Sequence, residues 1–246
     1  MWEINARGVY YQDLNEKICT AHRQGHIDIK VININGQRYL GTGLPGQANL
    51  ILQGTPGNDL AAYMDGTMLE VYGNVQDGVA NTMNSGEIVI HGHTGDTLGY
   101  AMRGGQIFVR DFAGYRVGIH MKEYLDKVPV IVIGGTTGDF LGEYMAGGVL
   151  IVLGLNREPN TPIVGNFCGT GMHGGVMYIR GEVAAHQLGK EVKAMTLDDQ
   201  DYSLLRQQIK LYCEHFGTSI DEIMQVPFVK LIPFNKRPYG NLYAGW

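Results

Sequence analysis

The sequence predicts an all-β fold: a single-stranded parallel β-helix, with flanking α-helices at both ends. Three observations lead there. A template of about 19 residues recurs six times between residues 54 and 180. Its columns hold like residues, and one column is methionine in all six copies. Glycine, at 36 of 246 residues, is about twice its usual share of ~7%, without the proline and serine bias of a disordered chain.

The units begin at Gly54, Gly73, Gly92, Asp111, Gly135 and Pro162. The fourth, 111–133, is read with four extra residues near its end, and residues 154–161 form an insertion. Counted from the first residue of each unit, position 18 reads Val71, Ile90, Val109, Val132, Val152 and Ile179. Every entrant is β-branched, as a buried strand prefers. Position 16 reads Leu69, Ile88, Ile107, Val130, Leu150 and Met177. Two residues apart, the two columns share one face of a strand. Position 7 is Leu60, Val79, Leu98, Val117, Leu141 and Cys168, and position 8 is always Ala or Gly. Position 11 is Met64, Met83, Met102, Met121, Met145 and Met172. Glycine clusters at positions 13 and 14, as at Gly104 and Gly105.

Self-similarity at a fixed period implies stacked supersecondary units. A short strand with tight glycine turns leaves no room for a helix in each unit. Each unit is therefore one coil, with its strand in parallel about 4.8 Å from the one before. Like residues stack on like, the interior fills, and the exterior alone is left for recognition.

The open ends of a solenoid call for caps. Residues 10–25 (YYQDLNEKICTAHRQG) read as a helix with Leu14, Ile18 and Ala21 on one face and Gly25 as its stop. IDIKVINI (27–34) reads as a strand, and NLILQ (49–53) resembles the strand half of another coil. Residues 201–217 read as a second helix with Leu205, Ile209, Tyr212, Cys213 and Phe216 on one face. Ser219 and Glu222 suggest a capping box for a short third helix. FVKLIPFNKRPYG (228–240) reads as an extended tail along the solenoid. The whole chain, 1–246, is expected to be one domain: a cap over 1–34, the β-helix over 35–183, and a helix and tail over 184–246.

Composition narrows the function. Nineteen basic and 24 acidic residues, scattered for a net charge of −5, argue against nucleic acid as a partner. No run approaches 18 apolar residues and MWEINARG has no apolar core, so no membrane span or signal peptide is expected. Three cysteines suggest a reducing, cytoplasmic setting.

The motifs mostly resolve into the repeat. GTGLPG (41–46) and GTGMHG (169–174) match G-x-G-x-x-G, but that fingerprint must open a helix. A strand follows the first, and the second falls on the repeat columns. GGTTGDFLG (134–142) faintly matches a calcium nonapeptide. Yet Asp77, Asp96 and Asp139 occur once per coil, with Asn58, Tyr115 and Asn166 in the other coils, which suits an Asx-rich turn better. Cys168 near His173 could suggest a nucleophile pair, but Cys168 sits in an aliphatic column. Cys19 and Cys213 read as packing residues. His91 and His93 form H-x-H without a third ligand at an obvious spacing. His120, His173 and His186 are scattered, and the three serines lie in no hydrolase motif. The residues therefore give no catalytic, cofactor-binding or metal-binding set.

The recurring M-x-G-G-x-I-x-V pattern (Met102 to Val109, Met145 to Val152, Met172 to Ile179), with ARGVYYQDLNEKI (6–18) and NGQRYLGTGLPG (35–46), resembles the GXGXG domain, the C-terminal domain of the glutamate synthase large (alpha) subunit. The resemblance covers nearly the whole chain, as a stand-alone subunit. It implies a right-handed parallel β-helix and a role in forming glutamate from glutamine and 2-oxoglutarate. It also implies that the chain is a structural bridge between glutaminase and FMN-dependent synthase partners, without chemistry of its own, with FMN and the iron–sulfur cluster on those partners. The glycine-repeat subunit of formylmethanofuran dehydrogenase shares the same kind of solenoid, and a scaffold of that type stays open as an alternative. So does a stand-alone β-helix enzyme with a site in an outer groove, and so does a homo-oligomer.

Overall fold

The computed structural model describes residues 1–44 and 46–234. Nine strands follow one another up the solenoid: β1 (Trp2–Asn5), β2 (Asp28–Asn35), β3 (Asn49–Thr55), β4 (Asp65–Tyr72), β5 (Ser85–Ile90), β6 (Gln106–Val109), β7 (Val130–Ile133), β8 (Ala146–Val152) and β9 (Gly174–Arg180). Helix α1 (Tyr11–Arg23) lies between β1 and β2. After β9 come β10 (Val192–Met195), α2 (Asp199–Phe216), α3 (Ile220–Met224) and β11 (Phe228–Pro233). All eleven strands form one sheet, in the order β1 to β9, then β11, then β10. Neighbours among the first nine are parallel. The fold is thus a parallel β-solenoid with few helices.

The register stacks the predicted columns. Ile88, Ile107, Ile131, Leu150 and Met177 are successive partners. So are Ile90, Val109, Ile133, Val152 and Ile179. The fourth unit departs from expectation. Val130 and Val132, assigned above to the inward columns, point outward, and Ile131 and Ile133 take their places. Val109 pairs with Ile133, 24 residues on, so the insertion is five residues rather than four. With a side-chain period of two, a one-residue slip exchanges the faces. All four residues of β7 are buried, which is why the slip leaves no mark in the sequence.

The corner that precedes each strand explains two further columns. Positions 6, 8 and 10 all lie in the left-handed region, as at Thr97 (φ 58°), Gly99 (69°) and Ala101 (51°), and again at Phe140 (63°), Gly142 (66°) and Tyr144 (52°). Position 8 faces inward: Ala61 and Ala80 are fully buried, and a Cβ on Gly99 would lie 2.4 Å from Ile131 Cδ1. Only Ala or Gly fits. The six methionines of position 11 are all fully buried. Met64, Met83, Met121 and Met145 reach a glycine of the next coil, as where a Cβ on Gly105 (φ 85°) would lie 2.5 Å from Met83 Cε. The methionine column and the glycine column are thus two sides of one contact.

The ends are only partly as expected. Helix α1 seals the interior at the amino-terminal end with Leu14, Ile18 and Ala21, and Gly25 follows at φ 89°. The strand β1 was not expected. At the other end, β11 pairs antiparallel with β9, and β10 with β11, so strands rather than a helix close this edge. Helix α2 instead lies on the outer face of the sheet, and Gly217 ends it at φ 67°. Of the capping box, one half is formed: Ser219 Oγ accepts from the Glu222 N–H at 3.4 Å. The expected tail becomes β11 as far as Pro233, and its residues 235–240 lie outside the described residues.

Gly105→Ala should therefore destabilise the fold by about 2–4 kcal/mol, through a left-handed alanine and an overfilled contact. Leu125→Ala, at a residue 84% exposed, should stay within ~0.5 kcal/mol of wild type. Urea denaturation of both reads the difference; equal stability would contradict the account of the corner.

Candidate functional site

Among the described residues the inner face is filled with apolar side chains. One continuous apolar cluster runs from Ile4 and Leu14 through the stacked columns to Leu231.

Half of the outer face is covered. Leu205, Ile209 and Tyr212 of α2 form a second apolar cluster with Phe108, Val132 and Ile151 of the sheet. Polar contacts fasten it. Tyr212 Oη donates to the Arg110 carbonyl at 3.1 Å. Near the start of α2, Tyr178 Oη donates to Asp201, and Lys230 Nζ lies 2.7 Å from the second Asp201 oxygen. Burial pushes the Asp201 carboxyl up, but the bonds from Lys230 and Tyr178 outweigh it and hold the group below its ordinary value. Asp198, at the amino-terminal cap, accepts from the Gln200 and Asp201 N–H groups. This buried Tyr–Asp–Lys set is a clasp joining α2, β9 and β11, with both Asp201 carboxylate oxygens engaged.

Beyond the last turn of α2 the outer face lies open. A groove of about 340 Å³ runs there, lined by Asp28, Ile51, Met68, Glu70, Glu87 and His215 among others. Glu70 accepts from Tyr72 Oη at 2.8 Å, and His91 Nε2 lies 2.8 Å from the same Glu70 oxygen. The Tyr72 ring stacks on His91 with centroids 4.5 Å apart, and Phe216 meets His91 edge-on at 5.3 Å. His215 Nε2 stands 3.4 Å from Glu87 Oε1. Burial holds the Glu87 carboxyl above its ordinary value, and His215 pulls it partly back. The bond to Glu70, then burial, raises the Tyr72 hydroxyl. Met68 and Tyr72 are nearly half exposed.

The residues singled out in the sequence do not converge. His91 turns to Glu70 and Tyr72, whereas His93 stacks on Phe112 at 4.4 Å, so H-x-H is not a shared ligand pair. His120 stacks on Tyr144 at 5.3 Å. Cys168 is fully buried in its column, and burial pushes its thiol up to about 12. Cys19 packs against the inner cluster and Cys213 against the outer one. Among the described residues no three His, Cys, Asp or Glu side chains are placed to hold a metal ion. The three free cysteines lie apart in the fold: Cys19 on α1, Cys168 in the interior column and Cys213 on α2.

The Asx column is a correction. Its side chains do not close local turns. Asp77 Oδ1 accepts the Asp96 N–H at 2.8 Å, and Asp96 Oδ1 accepts the Tyr115 N–H at 2.8 Å, each 19 residues on. Asp139 accepts the Asn166 N–H at 2.7 Å, and Asn58 that of Asp77 at 3.3 Å. The column is a ladder between coils.

Both G-x-G-x-x-G matches also resolve. Gly41 (φ 70°) and Gly43 (57°) occupy the left-handed corner, as do Gly169 (73°) and Gly171 (69°). The Ala61 N–H donates to the Leu40 carbonyl, which places residues 40–43 one coil below 60–63. Residues 35–53 are therefore a seventh coil, with Leu44 in the methionine column. A family model of the GXGXG motif matches residues 13–233. The chain belongs to the GXGXG motif family. That domain is found in glutamate synthase alpha subunits. An uncharacterized protein of Methanocaldococcus jannaschii is 43% identical over 250 residues, covering 98% of this chain and 95% of that protein.

The groove itself was missed, though the GXGXG repeat carries its signal. Positions 15, 17 and 19 point outward. They read Val149, Ile151 and Leu153 under α2, but Met68, Glu70 and Tyr72 where the face is open. The change from apolar to mixed marks where the helix ends.

Two measurements check these assignments. At pH 8, a thiol reagent should modify Cys168 only after unfolding, while Cys19 and Cys213 react earlier; rapid native labelling of Cys168 would contradict its burial. Glu87 has a raised folded value, so it favours the folded state most below its ordinary value near 4.5. That contribution fades as pH climbs through the higher folded value. Glu87→Gln should flatten this part of the Tm–pH profile, and an unchanged profile would count against the buried carboxylate.

Proposed function

We propose that the chain is a non-catalytic scaffold of a glutamate synthase-type assembly, holding glutaminase and FMN-dependent synthase partners in a fixed relation. The observation that carries the reading is a GXGXG match over residues 13–233 on a solenoid whose interior is filled. A filled rod resists bending. Nine parallel strands at about 4.8 Å span roughly 38 Å, a rigid spacer between two docked bodies. In this reading glutamine hydrolysis, flavin and iron–sulfur chemistry belong to the partners, and the assembly works in the cytoplasm. Among the described residues no helix is long and apolar enough to cross a membrane.

The test is recovery of the tagged chain from its native host at low salt. Co-elution with a glutaminase polypeptide and a yellow, FMN-bearing synthase, in fixed ratio, is the expected result. Recovery with formylmethanofuran dehydrogenase subunits, or strong turnover by the purified chain alone, would overturn the reading.

A further inference from the structure

The outer face of the sheet has two halves, and one is covered. Over β5 to β9, α2 seats Leu205, Ile209 and Tyr212 against the strands. Over β2 to β4 the same face carries Ile51, Met68 and Tyr72, half-buried or exposed, with Met68 and Tyr72 at 44% and 47% exposure. Met68 and Tyr72 flank Glu70 on β4, and Ile51 stands opposite Glu70 on β3, so apolar and acidic side chains alternate across this half.

The open half also differs in charge. Glu3, Asp28, Glu70 and Glu87 lie on it. Among the described outward residues of β1 to β5 the one lysine or arginine is Lys30, and it stands 3.4 Å from Glu3. The carboxyl-terminal end of α2 abuts this half, since His215 approaches Glu87 and Phe216 meets His91. Its unpaired carbonyls add partial negative charge. The exposed apolar side chains are thus interspersed with anions, the complement of a cationic amphipathic segment.

We propose that this open half is a docking groove for a cationic amphipathic helix of a partner polypeptide. Its apolar stripe would lie on Ile51, Met68 and Tyr72, and its Lys or Arg side chains would meet Asp28 and Glu70. A helix is the fitting occupant because this sheet already takes one: α2, 18 residues long, lies on the adjoining half. The partner comes from the scaffold reading above; the chemistry of the groove is tested apart from it.

The full-length chain is titrated with a synthetic 18-residue helical peptide bearing Leu on one face and Lys on the other, and with a counterpart bearing Glu in place of Lys. The Leu/Lys peptide should bind at least tenfold more tightly than the Leu/Glu peptide, and more weakly as salt rises. Glu70→Lys and Met68→Asp should each weaken that binding at least tenfold, while Leu125→Ser leaves it unchanged; circular dichroism checks that each variant is folded. A photoreactive residue in place of Tyr72 should cross-link to the Leu/Lys peptide. With purified glutaminase and synthase subunits it should cross-link to a Lys- or Arg-bearing helix of one of them. Equal binding of the two peptides, or indifference to Glu70→Lys and Met68→Asp, overturns the groove. So do cross-links chiefly to residues 235–246 of the same chain or to a second copy. If the peptides discriminate but neither subunit binds, the groove stands and the scaffold reading falls. If a subunit binds and Glu70→Lys leaves it bound as before, the scaffold reading stands and the groove falls.

Discussion

The structure depends on one constraint: every coil must turn the same corner so that its strand lands in register on the last. The corner does this with left-handed residues at alternate positions, 6, 8 and 10. The middle one faces inward against the strands of neighbouring coils, so it is held to Ala or Gly. The outer two face away and admit larger side chains, though a left-handed conformation costs an L-residue about 1–2 kcal/mol. Where such residues occur they support one another between coils. Phe140 stacks on Phe167 at 5.0 Å, and Arg116 lies 4.7 Å over the Phe140 ring. Glycine is thus held most closely at the inward corner position, as at Gly99, Gly118, Gly142 and Gly169, with Ala61 and Ala80 in the other two coils.

Once the corner repeats, the rest of the coil can be simple. Inward strand positions need only be apolar and of suitable volume, and methionine, unbranched and adaptable, fills the space above the next coil's glycine. The Asx ladder adds a polar counterpart. Each carboxylate accepts a backbone N–H that the corner leaves free, and position 4 is glycine where the reach is closest, as at Gly95 and Gly114, whose Cβ atoms would fall within 2.2 Å of the Asp77 and Asp96 oxygens.

What the sequence revealed follows from how single-valued each environment is. The inward columns were legible because every coil offers them the same surroundings. Val130 and Val132 were misplaced because α2 makes both faces of β7 apolar there, so alternation vanishes. Strand β1 was illegible because its partner, β2, lies beyond a helix and no repeat announces it. Periodicity showed which face of α2 is buried but not against what; an amphipathic pattern is the same whether a helix plugs an end or lies on a flank. The Asx residues could close a turn or reach the next coil, and only the stacking decides. The groove was hidden for a related reason: Glu70 and Tyr72 look like ordinary solvated strand residues until the edge of α2 is placed beside them.

The two faces of the sheet therefore carry different kinds of information. The inner face is uniform, and its uniformity fixes the length and stiffness of the rod. The outer face is free to vary, because no stacking rule binds positions 15, 17 and 19. The chain uses that freedom once for itself, making those positions apolar under α2 and tying the helix down with Tyr212, Tyr178, Asp201 and Lys230. Toward the amino-terminal end the same positions turn mixed and acidic. A face that had to meet only water would have no use for Met68 and Tyr72 on either side of Glu70. A face that had to join the core would exclude that carboxylate. The combination satisfies neither demand, which is why the proposed groove is placed on this half.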